Sequence, residues 1–236
     1  MNRIAVRPIL SLIKPVIVKV VSGMLEFKGI LLWYLVILLV SSSVFITSLA
    51  FPQVSTALAA SRNTFWGVFT SIFVHNSWQH LLLNMVGLFL FVIFFTSANS
   101  TLSTRSKKEF QIFFLISALG LAVVSNFLWI AFNTGSSVGA SGLVYGVMGI
   151  VTSSCILNGL QALGRKHLRK QSTQTMGIVL MNIVLGISLV FEVFQNPQVF
   201  LNISEGVNII VHGVSFVLGL SFILPWHLIM DVSVLE

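Results

Sequence analysis

Residues 139–151 read Gly-Ala-Ser-Gly-Leu-Val-Tyr-Gly-Val-Met-Gly-Ile-Val. They open a stretch, from Ser141 to about Leu160, that carries no charge. At about 1.5 Å of rise per residue, a helix of that length crosses the ~30 Å of a bilayer's hydrocarbon. It must be a helix, because hydrocarbon holds no water to satisfy free backbone groups. Two features set it apart from an inert lipid-facing span. A hydroxyl, Ser141, stands at its first position, and Gly142, Gly146 and Gly149 form a small-residue ridge along it.

Five further stretches read the same way: Ile30 to Ala50, His80 to Ala98, Phe110 to Phe132, Met176 to Phe194 and Val207 to Met230. The 236-residue chain is 56% hydrophobic and 8% charged. Soluble domains carry about 25% charged residues, so this composition excludes a soluble domain, a solenoid or a disordered tail. The expectation is an all-α membrane protein with a six-helix bundle. Residues 1–29 form a basic cytoplasmic or interfacial segment, residues 30–230 the membrane domain, and residues 231–236 a short tail. The first span is too long for a signal-peptide core. The 29-residue loop from Phe51 to Gln79 is rich in Phe and Trp and holds a single charge. Long loops without structure of their own are uncommon, so short helices lying in the interface are expected there.

Lys and Arg set the orientation. Arg3, Arg7, Lys14, Lys19 and Lys28 precede the first span, Arg105, Lys107 and Lys108 follow the second, and Arg165, Lys166, Arg169 and Lys170 follow the fourth. These segments lie on one side and hold all but one of the 13 basic residues; Arg62 lies opposite. Both termini are therefore expected in the cytoplasm of a multi-pass protein of the plasma membrane. The net charge of +7 reads as topology anchoring beside anionic lipid rather than nucleic-acid binding. The single cysteine, Cys155, excludes an internal disulfide and a cysteine metal cluster.

Polar groups within spans are functional candidates. His80 and Asn84 stand four apart on one helix face, continued by Gly87 and Phe91. Ser141 lies within Gly139-Ala140-Ser141-Gly142, with Tyr145 a turn further on. His212 lies about 8 Å inside the sixth span. Spans two, four and six all run from outside to inside, so His80, Ser141 and His212 share a depth near the outer ends. A serine hydroxyl attacks a carbonyl only when a base takes its proton, and a neutral histidine does that near pH 7. The oxyanion then needs donors. A helix N-terminus at Ser141 supplies amides, and His80 and Asn84 can add side-chain donors. Tyr145 can pack against His212 and orient it. Ser215 and Gly219, on the face of His212, together with the glycine ridge, suit close helix packing.

Rival chemistries fare worse. Asp231 is the only aspartate, so an aspartyl pair and a Ser-His-Asp triad are out, and no His-Glu-x-x-His zinc motif exists. Glu192 and Glu205 leave a third triad member open, but a Ser–His dyad is simpler. Cys155 lies too far toward the cytoplasm to be the nucleophile. His75, Trp78, His167 and His227 read as loop or interfacial residues. A transporter would want charges at the span centres, which are nearly bare of them.

At this point the chain resembles the rhomboid family of intramembrane serine proteases. The matching stretches are His80-Leu81-Leu82-Leu83-Asn84, Gly139-Ala140-Ser141-Gly142, Tyr145 and His212, with Trp66 and residues 73–80 also similar. The resemblance implies a six-helix rhomboid-like bundle with Ser141 as nucleophile and His212 as general base. It implies an oxyanion hole of His80, Asn84 and the Ser141 amide, supported by Tyr145, Gly139 and Gly142. It also implies cleavage of transmembrane segments of other proteins near their outer ends, without metal or cofactor, with entry by movement of the fifth helix or the loop before the sixth. Two positions depart from the family pattern. Trp66 is followed by Gly67 rather than Arg, and Ser215 stands where Gly is common. These departures suit an alternative, a rhomboid-like protein that binds membrane clients without cutting them.

Overall fold

The computed structural model describes residues 21–100, 104–164 and 209–222, with residues 18, 180, 184 and 187. Among the described residues every regular element is a helix: α1 (Lys28–Ala50), α2 (Gln53–Leu58), α3 (Gly67–Thr70), α4 (Trp78–Ala98), α5 (Thr104–Phe132), α6 (Ser141–Gly164) and α7 (Ile209–Leu220). A 3-10 turn, Ser71–Phe73, links α3 toward α4. Four helices are long and apolar enough to cross a membrane: α1, α4, the Lys107–Phe132 part of α5 and the Ser141–Asn158 part of α6. The chain is therefore built as a multi-pass membrane protein. The expected span from Met176 to Phe194 lies outside the described residues, apart from Leu180, Val184 and Ile187.

Of the expected last span, Val207 to Met230, α7 covers Ile209–Leu220 and Ser221 and Phe222 form a turn; the remainder lies outside the described residues. The Phe222 amide bonds back to the Gly219 carbonyl in the tighter i to i−3 pattern.

Among the described helices the tightest seam joins α6 to α7, which pack more extensively than any other described pair. A Cβ added to Gly149 would meet the Phe216 carbonyl and lie 2.9 Å from the Cα of Gly219. One added to Gly219 would meet the Gly146 carbonyl and lie 3.0 Å from the Cα of Gly149. The two backbones thus touch. Lipid tails are as apolar as leucine, so burying leucine brings membrane helices little gain. Close backbone approach through small residues supplies the packing instead. Ser215, fully buried, keeps the seam narrow at its outer half: its Oγ would sit 3.4 Å from a Cβ on Gly142. A serine there is compatible with close approach.

At the opposite end an aromatic cluster locks α4 to α5. Phe95 packs on Phe114 at 4.3 Å and on Phe110 at 4.8 Å between ring centroids, with Phe27 edge-on at 6.1 Å. Such pairs add about 0.5–1.5 kcal/mol each beyond contact area. Phe27 belongs to the N-terminal segment, and its neighbours follow it. Residues 21–26 are helical, Glu26 is ion-paired with Lys107, and the Gln111 amide donates to the Glu26 carbonyl. The last residues before α1 are thus packed on the bundle rather than loose.

The loop between α1 and α4 does contain short helices. Its turns are tied by the Trp66 Nε1 donating to the Ala57 carbonyl (2.9 Å) and Thr70 Oγ1 to the Leu58 carbonyl (2.8 Å). Gly67 has a structural cause: a Cβ there would run into the Ala59 carbonyl. No side chain, arginine included, fits that backbone crossing.

The glycine seam carries a prediction. Gly219→Val forces the two backbones apart, and overpacking of this kind costs about 1–3 kcal/mol. Gly120→Ala, where a Cβ meets nothing within 4 Å, leaves stability unchanged or slightly raised. Thermal unfolding of the purified variants in one detergent checks this. Equal melting temperatures for the two would refute the seam's role.

Candidate active site

Ser77 starts α4. Its extended backbone (φ −152°, ψ 158°) lets its Oγ accept the His80 amide hydrogen at 3.1 Å. This N-cap sets the first turn of α4 and so the direction of His80. Asn84, one turn on, is 7% exposed, and its Nδ2 is buried with no hydrogen-bond partner. A buried unsatisfied amide costs about 1–3 kcal/mol. Such a donor calls for an explanation of its own.

The approach to α6 is held in an unusual backbone. Gly139 has φ +114°, where only glycine is comfortable. Its missing side chain also makes room for α4: a Cβ would lie 2.6 Å from Cε1 and 2.8 Å from Nε2 of His80, and 3.7 Å from Asn84 Nδ2. The backbone two residues before Ser141 thus rests directly on the His80 ring and the Asn84 amide. The first helical bond of α6 runs from the Val144 amide to the Ala140 carbonyl (2.9 Å). The amides of Ser141, Gly142 and Leu143 therefore stand outside the helical ladder, at the positive end of the helix dipole. Ser141 itself is partly exposed at that end, and Gly142 is buried against Val211 of α7.

On α7, His212 is 8% exposed. The Tyr145 ring lies over its imidazole, with centroids 4.3 Å apart and planes tilted by 30°. Tyr145 is one turn below Ser141 on α6, so the residue that touches His212 stands directly beneath the serine. The glycine seam lies one to two turns deeper on both helices.

His75 lies in the loop before α4, in line with its sequence reading, but it is buried there, with 2% exposure. Its Nε2 accepts the Ala140 amide hydrogen at 3.4 Å, and its Nδ1 lies 3.3 Å from the Phe73 carbonyl, to which it donates. Its ring meets that of His80 edge-on at 5.1 Å. One neutral tautomer satisfies both bonds. Burial, then the neighbouring His80, push its pKa from 6.5 down to about 4, while the Phe73 bond pulls the other way. A local signal was present: His75 and His80 flank the N-cap at a spacing of five. Spacing alone does not reveal that the intervening turn folds His75 under residue 140.

The loop before α4 grips the same segment elsewhere. Ala60 and Ser137 exchange backbone bonds at 2.9 and 2.8 Å, and the Gly139 amide donates to the Ser71 carbonyl at 2.9 Å. Asn126 Nδ2 of α5 reaches Ser71 Oγ at 3.0 Å. Residues 137, 139 and 140 are each tied down by this loop. Cys155 is buried nearly three turns below Tyr145, away from this cluster. Among the described residues no group of His, Cys, Asp and Glu is arranged to hold a metal.

Contacts thus converge on both sides of Ser141 from α4, α7 and the loop between α1 and α4. The Rhomboid domain profile matches residues 62–229, which is most of the chain and takes in all of these elements from Arg62 on. The protein belongs to the rhomboid family. No match was found among the curated proteins compared with it.

In this rhomboid His75 has a pH signature. Between pH 6.5 and about 4 the unfolded chain takes up a proton at His75 that the folded chain refuses. Stability is therefore full above pH 6.5 and declines as pH falls through that window. His75→Gln, whose amide does not titrate, should lose less stability than wild type between pH 7.5 and 4.5. Paired thermal melts at the two pH values decide it, and equal losses would remove His75 as the titrating group.

Proposed function

We propose that this rhomboid is an intramembrane serine endopeptidase that cuts transmembrane segments of other membrane proteins near their outer ends. Ser141 is the nucleophile and His212 the general base. Ser141 Oγ attacks the scissile carbonyl carbon as its proton passes to the imidazole. The C–N bond breaks as that proton moves to the leaving amine. Water, deprotonated by the same ring, then releases the acyl group from Ser141. The negative oxygen of each tetrahedral intermediate is met by the Ser141 amide, His80 and Asn84. Tyr145 fixes the plane of the imidazole. The chemistry needs no cofactor.

The observation that carries this reading is the unpartnered, buried Nδ2 of Asn84, close to the Gly139 backbone that leads into the free amides of α6. A donor kept dry and unspent beside a helix N-terminus suits charge that appears only during reaction. The contact of Tyr145 with His212 supports the base assignment. Positive charges gathered on three segments support cytoplasmic termini in a plasma membrane, with the site facing the other side. Hydrolysis there requires water to reach Ser141 from outside.

Labelling with a fluorophosphonate tests the assignment. Wild type should react, while Ser141→Ala and His212→Ala should not. Asn84→Ala should react about 10²–10³-fold more slowly, the usual cost of one lost oxyanion donor. Equal labelling of wild type and Ser141→Ala would rule out the serine. Client binding that persists without any labelling would favour the non-cutting alternative.

A further inference from the structure

Arg62 is the only Lys or Arg between Phe51 and Trp78. Its side chain leaves its own loop and reaches the far end of α5. Nε donates to the Ile130 carbonyl at 3.2 Å and Nη2 to the Ala131 carbonyl at 3.4 Å. Both carbonyls belong to the last turn of α5, where helix geometry leaves acceptors unsatisfied and the helix dipole is negative. A guanidinium suits this place because it presents two N–H groups in a fixed fork. Two residues before Arg62, Ala60 pairs with Ser137. Within the same turn, Thr64 Oγ1 donates to the Ala59 carbonyl at 2.6 Å. Residues 60 and 62 therefore hold both the last turn of α5 and residue 137 of the connection from α5 to α6. That connection is only eight residues, 133–140, and it delivers Gly139 against His80 and Ser141 to the head of α6.

We propose that Arg62 is a positioning residue for the reaction, holding the end of α5 so that residues 133–140 place the Ser141 hydroxyl and amide in register with His80 and Asn84. The proposal rests on Ser141 being the nucleophile. A rigid bracket on so short a connection passes a displacement at Ala131 to Gly139 with little slack. Misplacement of a reacting group by about 1 Å can cost ~10²-fold in rate. Loss of the fork should therefore appear in turnover rather than in substrate binding.

The test compares fluorophosphonate labelling rates of the full-length protein in detergent at a temperature well below every variant's melting point. It also compares kcat and KM for cleavage of a transmembrane peptide. Arg62→Ala and Arg62→Gln should label about tenfold more slowly than wild type or worse, with kcat reduced and KM unchanged. Arg62→Lys, which keeps the charge but not the fork, should fall between. Thr70→Val removes a bond internal to the same loop, so it should label at the wild-type rate even where its melting temperature falls as far as that of Arg62→Ala. Wild-type labelling by Arg62→Ala, or slowing by Thr70→Val equal to it, would overturn the positioning role. If Arg62→Ala does not fold, Arg62→Gln and Arg62→Lys carry the same comparison. Equal labelling of wild type and Ser141→Ala would overturn the nucleophile instead, a result separable from any behaviour of Arg62.

Discussion

Backbone contact between α6 and α7 is the constraint from which the rest of the structure follows. Gly149 and Gly219 remove the side chains that would hold the two helices apart. With the axes this close, a side chain one to two turns further out has little freedom in what it meets. Tyr145 and His212 sit at that level and lie ring on ring. Wider spacing would put lipid or an extra side chain between them. The contact of Tyr145 with His212 is therefore a consequence of glycine at positions several residues away.

A second constraint acts on the head of α6. A helix N-terminus offers amides only in the direction its first turn points. Here the direction is set by contacts from outside the helix. Ser71 and His75 each hold one backbone amide, of Gly139 and Ala140, and Ala60 holds both backbone groups of Ser137. Gly139 then turns the chain with a positive φ and lets the His80 ring approach. The long loop after α1 is thus part of the site's frame. Its glycine at position 67, which departs from the family's common pattern, follows from the same crowding, since the Ala59 carbonyl occupies the space a side chain would need.

How far the chain could be read in advance differs from element to element. The four described spans announced themselves, because hydrocarbon permits only long apolar helices and twenty uncharged residues cannot be mistaken. His80, Asn84, Ser141, Tyr145 and His212 stood out because polar groups are scarce in such spans. The expectation that they share a depth rests on charge asymmetry alone. His75 is a loop residue as expected, but its burial is not legible in the sequence, since no periodicity governs an irregular turn and a histidine beside Asn and Ser looks solvated. Arg62 was counted only as a charge on the outer side. Nothing in its neighbours indicates that its fork spans to carbonyls 68 and 69 positions away.

The division has one physical root. Transfer of side chains from water to lipid is a property of composition over a window, so the order of residues already decides that this chain crosses a membrane and which polar groups are carried with it. Which of those groups touch depends on helix crossing distances and on the path of a 27-residue connection between α1 and α4. Those arise from contacts between residues far apart in the chain. Only the folded bundle settles that Gly139 lies on His80, that Tyr145 covers His212, and that Ala140 is held by a buried histidine.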